Sequence, residues 1–221
     1  MSRHRWASSS LVAIAVAGGL SVSAPAQETS PPDFSGVWLA TSPRNTGGAR
    51  SGPELTPRAQ ADRDAFDPLD DPVIRCVMPT FPRAGFAIYP FEIVQTEKML
   101  VFLYESFGMV RRIYMDGRQP PEYFPPARRG YSVGHWEGDE LVINTTHVAP
   151  GLLSGNGLRQ YGDVSAVERY RLVDGGRGLE AELVTTAPET FVEPRTQRFT
   201  WERDPDGMIF ESVCDPADRR F

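Results

Sequence analysis

The chain has 221 residues, of which 40% are hydrophobic and 24% charged, with 20 Gly, 20 Pro and two Cys. Those proportions exclude a disordered chain and a multi-span membrane protein, and the glycine and proline load predicts frequent turns rather than long helices. A formal charge of −6, from 23 basic and 29 acidic side chains, leaves no basic footprint for nucleic acid and no attraction to an anionic membrane surface.

The first element is a leader. Arg3 and Arg5 precede an apolar run over residues 11–22, and Ala24-Pro25-Ala26 follows. A basic head, an apolar stretch and an A-x-A site predict a secretory signal over residues 1–26, cleaved after Ala26. The run is too short to cross a bilayer core of about 30 Å at a rise of 1.5 Å per residue. Cleavage leaves 195 residues carrying −8, one domain by length, exported to the periplasm or the medium. Cys76 and Cys214 both remain in the mature part. An even count in an oxidising compartment, without C-x-x-C spacing, predicts a structural disulfide between them.

Residues 27–54 read as a polar lead-in, a first strand over 33–40 and a flexible loop rich in Gly, Ser, Arg and Asn; 55–221 is the remainder of the same domain. Thr56 followed by Pro57 is an N-cap with proline at the first helical position, opening a short helix to about residue 66. An acidic, proline-rich crossing over 67–82 carries Cys76. Strands follow at 92–96, 99–106 and 109–115, then, after a proline-rich loop, at 131–136 and 140–146. Two more pairs complete the series, 167–173 with 179–186 and 197–203 with 209–213, around Asp- and Gly-rich turns. About ten strands, mostly neighbours in sequence, define an all-β antiparallel meander. Closure into a barrel is its most economical form, because it removes the edges.

Alternation assigns faces. Leu179, Ala181 and Leu183 alternate with Glu180 and Glu182, and Phe199 and Trp201 share a face against Arg198, Thr200 and Glu202. On 109–115, Arg111, Ile113 and Met115 take one face while Arg112, Tyr114 and Asp116 take the other.

Two resemblances rest on quoted residues. Asp33-Phe34-Ser35-Gly36-Val37-Trp38 resembles the G-x-W entry of lipocalins and related calycin barrels. That implies a tryptophan plugging one barrel end beneath a basic residue of a late strand, here Arg198 or Arg203. A wider set comprises Leu55-Thr56-Pro57, Phe66-Asp67-Pro68, Arg75-Cys76, Glu92-Ile93-Val94-Gln95, the run Arg111-Arg112-Ile113-Tyr114-Met115-Asp116-Gly117-Arg118, Gly134-His135-Trp136-Glu137-Gly138-Asp139 and Val167-Glu168-Arg169-Tyr170. In that order it resembles an uncharacterised family of exported bacterial proteins of similar length. The resemblance implies one exported domain and transfers no catalytic residue. Arg159-Gln160-Tyr161-Gly162 stands where those proteins often carry Pro-His-Ser.

Candidate chemistry comes from charge set in apolar strands. Glu105 ends an apolar strand and a hairpin would bring it near Arg111 or Arg112. A carboxyl facing apolar side chains has a raised pKa suited to proton transfer, whereas one beside Arg keeps its charge in a structural ion pair. His135 is the side chain that titrates nearest neutrality. In an enzyme, Glu105 or His135 would move the proton, with Arg112 and Tyr114 stabilising an oxyanion. Gly130-Tyr131-Ser132-Val133-Gly134 spells G-x-S-x-G, but a nucleophile elbow opens a helix and here a hairpin follows. His135 and His147 lack metal-ligand spacing, and with no phosphate loop or dinucleotide fingerprint no metal or cofactor is expected. Phe102, Tyr104, Tyr114 and Trp136 are candidate walls of a ligand cavity. Three readings stand: a barrel holding a small, partly apolar molecule; a cofactor-free acid–base enzyme (lyase, isomerase or hydrolase) on the same scaffold; and an envelope module without a pocket.

Overall fold

β-branched and aromatic alternation, broken by Asp-Gly and Gly-rich turns, produces the strands. A computed structural model describes residues 30–41, 52–86, 88–212 and 214–215. The strands are β1 (Gly36–Ala40), β2 (Phe91–Gln95), β3 (Met99–Tyr104), β4 (Val110–Tyr114), β5 (Tyr131–Glu137), β6 (Glu140–Thr146), β7 (Gly151–Leu152), β8 (Arg159–Gln160), β9 (Ser165–Val173), β10 (Gly178–Thr186) and β11 (Arg195–Asp204). Nine of them close a barrel in the order β1-β11-β10-β9-β6-β5-β4-β3-β2, and β7 pairs with β8 alone. The expected helix is α1 (Pro57–Asp64), capped by the Thr56 side chain accepting from the Ala59 amide. The predicted leader, and the loop over residues 42–51, lie outside the described residues. No helix among the described residues is long and apolar enough to cross a membrane.

Two features depart from a plain meander. β4 and β5 pair in parallel, Ile113 opposite Ser132 and Tyr114 opposite Val133. The proline-rich segment over 115–130 therefore returns along the barrel instead of turning back at its end. The second departure is the strand expected over 209–213, which is absent among the described residues 209–212. β11 already pairs with β10 on one side and with β1 on the other, so no edge is left for it.

The parallel pair depends on Gly134. A Cβ there would stand 2.6 Å from Met115 Sδ and 2.8 Å from the buried Ile113 Cγ2. Gly134→Ala is expected to cost about 1–3 kcal/mol by overpacking, measured as a lower urea midpoint with unchanged slope.

The topology gives the barrel two different ends. The β2–β3, β5–β6 and β9–β10 turns gather at one; the long connections carrying α1, β7 and β8 gather at the other. At the hairpin end Trp38 is fully buried, donates from Nε1 to the Phe34 carbonyl at 3.0 Å, and lies 4.7 Å beneath the Arg203 guanidinium. Arg203 also donates to the Asp33 carbonyl at 2.8 Å. Arg198, the other arginine considered for this position, faces outward and pairs with Glu182. Cys76 and Cys214 are bridged, with Cα atoms 5.6 Å apart.

Candidate functional site

The barrel interior is filled. Phe102 and Tyr104 face inward from β3 and pack with Phe91, Tyr170 and Trp201, their ring centroids about 5–6 Å apart. They belong to a continuous core that also holds Trp38, Ile113 and Ile143, with half-buried Trp136 packed against it. They therefore line no central cavity. Tyr114 faces outward, stacked on Tyr131 at 5.2 Å with Arg118 over its ring.

The proposed acid–base group is not assembled. His135 is on the outer face of β5, exposed and bonded to Glu137 at 3.0 Å. Arg112 is exposed on the outer face of β4. Glu105 lies past β3, half-buried, where its carboxylate accepts from the Phe210 amide at 3.1 Å. Arg112 and Tyr114 line one surface pocket on the outer face of β4, and neither Glu105 nor His135 lines it.

The pair that does form within the barrel is Arg111 with Glu168. Arg111 donates from Nη1 and Nη2 to the two carboxylate oxygens at 2.8 and 2.5 Å. It also donates to Ser132 Oγ at 3.1 Å and Thr145 Oγ1 at 2.7 Å. Tyr170 donates to Glu168 at 3.0 Å, and the guanidinium rests 4.1 Å from the centre of the Phe81 ring. Burial disfavours the Arg111 charge, but the Glu168 carboxylate outweighs it and holds the guanidinium above its ordinary value. Burial pushes the Tyr104 hydroxyl up to about 12. Ser132 is thus a spacer in a buried polar layer rather than an exposed nucleophile. On the Phe81 side of the layer lies a second apolar cluster of Phe81, Val148, Leu153, Leu158, Val164, Ala166, Leu183, Ala187 and Phe191, with Phe86 and Phe199 packed against both clusters.

Beyond that layer, at the loop end, a cleft of about 200 Å³ opens between β10, β11 and the connections. Phe86, Leu153, Leu183, Phe191 and Phe199 form its apolar side; Ser154, Thr185, Arg195 and Gln197 supply polar groups, and Pro82 and Arg83 complete the wall. The strand register explains the lining. Thr185 lies opposite Arg195, and Leu183 opposite Gln197, so alternate residues of both strands present one inward face. Thr185 is 1% exposed, and its hydroxyl bonds to no group among the described residues. Arg83 is committed to Asp71, donating to both carboxylate oxygens at 3.1 and 2.7 Å. Arg195 is half-buried, and among the described residues its only partner is the Phe191 ring, 6.0 Å away. Burial alone lowers its guanidinium from the ordinary value.

No group of three or more His, Cys, Asp or Glu among the described residues is placed to hold a metal ion. The chain matches no family model, and no curated protein is significantly similar to it.

Proposed function

We propose that this protein is an exported β-barrel that binds a small, partly apolar molecule, held in the loop-end cleft rather than in a central cavity. One observation carries the reading: an apolar wall of three phenylalanines and two leucines meets the buried Thr185 hydroxyl, which has no hydrogen-bond partner among the described residues, and an arginine, Arg195, with no carboxylate beside it among them. Convergence of apolar area with a few unsatisfied polar groups is the usual make-up of a small-molecule site. The disulfide supports the export half of the reading, because such bridges persist in oxidising compartments. The bidentate Arg83–Asp71 pair stiffens one wall, so the cleft exists before any ligand arrives.

The acid–base alternative draws on Arg112 and Tyr114, which share a surface pocket, and on Glu105 and His135, which do not line it, and it ranks behind. Native mass spectrometry of protein purified from its own host tests the binding reading. Wild type is expected to retain a small molecule that Ser154→Trp, which fills the cleft from a surface connection, does not. An empty wild type, or equal retention by both, argues against the cleft.

A further inference from the structure

We propose that Arg195 and Thr185 form a carboxylate-recognition site, and that the cleft takes a small monocarboxylic acid with an apolar or aromatic body. The proposal rests on the cleft being a binding site and adds the class of molecule. Arg195 and Thr185 sit directly opposite each other on β11 and β10 and face the same space.

Arg195 differs from its neighbours. The outward-facing arginines of the adjoining strands, Arg169, Arg171 and Arg198, each pair with a glutamate. The other arginine of the cleft, Arg83, is neutralised by Asp71. Arg195 alone brings a charge into the cleft with no carboxylate beside it among the described residues. A guanidinium cannot shed its proton at accessible pH, so its partial desolvation stays uncompensated until an anion arrives.

The donors suit one anion class. The planar guanidinium fork matches the two oxygens of a carboxylate. The Thr185 hydroxyl, 1% exposed and unpartnered, supplies a further donor from the facing strand. One uncompensated positive charge balances a monoanion, whereas a phosphate dianion would leave a negative charge over. Phe86, Phe191 and Phe199 then cover the body of the acid. At about 200 Å³ the cleft is smaller than the ~300–1,000 Å³ of drug-sized sites, which limits the acid to modest size.

Calorimetric titration of the full mature chain decides it, with benzoate, hexanoate, benzamide, hexanamide and inorganic phosphate as probes. Each acid is expected to bind wild type at least about tenfold more tightly than its amide, the margin of a charge-assisted hydrogen bond over a neutral one. Arg195→Gln should erase that preference by weakening the acids far more than the amides, and Thr185→Val should weaken the acids several-fold. Equal binding of acid and amide by wild type overturns the carboxylate assignment and leaves the cleft in place; the same comparison needs no variant and so cannot be confused with misfolding. Phosphate binding tighter than either acid overturns it too. If none of the four organic probes binds, the cleft reading falls along with the assignment.

Discussion

Glu168→Gln is expected to remove about 3–5 kcal/mol of stability, the usual cost of breaking a fully buried ion pair by deleting one partner. Arg111 would keep its charge, since no accessible pH discharges it. It would then sit at 2% exposure with a neutral amide, two hydroxyls and one aromatic face for company, and no opposite charge. The double variant Arg111→Met/Glu168→Leu should recover most of the loss. It removes both charges at once, and buried pairs replaced by apolar residues of similar volume are often neutral or better. Recovery should stop short of complete, because Tyr170 loses the carboxylate it donates to and an unpaired buried hydroxyl costs about 1–3 kcal/mol. Urea unfolding of the three proteins gives the comparison. A double variant as unstable as the single would mean that the pair positions strands by shape and that charge is incidental. The pair also has a specificity role to test, since it fixes β4, β5, β6 and β9 in one register around a single guanidinium.

Much of the barrel was legible in the sequence because antiparallel neighbours announce themselves through local alternation and turns. β2, β3, β5, β6, β9 and β10 are all of this kind, whereas the basic residue over Trp38 was left open between Arg198 and Arg203, and the structure puts Arg203 there. The parallel β4–β5 pair was hidden: a proline-rich stretch reads as a loop whichever way its ends point. The extra strand over 209–213 fails for a non-local reason, since β1 takes the edge that a meander would have left for it. The interior ion pair was half legible. Arg111 falls with Ile113 and Met115 by alternation, but Glu168 is 57 residues away, and only the β6–β9 pairing brings them together. The cleft was missed through a strand boundary. Starting β11 at residue 197 rather than Arg195 left Arg195 in a turn, although extending the Phe199 and Trp201 parity two steps back puts it inward. Thr185 continues the Leu179, Ala181, Leu183 face in the same way, and its polarity disguised it. The aromatic residues chosen as cavity walls were correctly read as inward at Phe102 and Tyr104, but a row of large inward rings fills a nine-strand barrel and leaves nothing to line.

Replacing both bridged cysteines, Cys76→Ser/Cys214→Ser, is expected to cost about 5 kcal/mol, comparable with the whole stability of many domains. The bridge joins residues 138 apart and encloses every strand from β2 to β11, so the unfolded chain loses much of its freedom when it is closed. On the folded side less depends on it. Beyond Asp204 the chain forms no strand among the described residues, and besides the bridge its anchorage to the preceding barrel includes the Phe210 amide on Glu105. The loss should therefore arise in the denatured state, and guanidinium unfolding has a signature for that. The open chain exposes more surface than the bridged one, so the slope m should rise while the midpoint falls. Near-ultraviolet circular dichroism of the native protein should hardly change, because Trp38, Trp201 and Tyr170 are held by the barrel and not by the tail. A fall in stability with unchanged m and an altered native spectrum would place the effect in the folded state instead. In that case the crossing over residues 67–86, which carries Cys76 together with Phe81, Arg83 and Phe86, would be the part that the bridge holds in place, and with it one wall of the cleft.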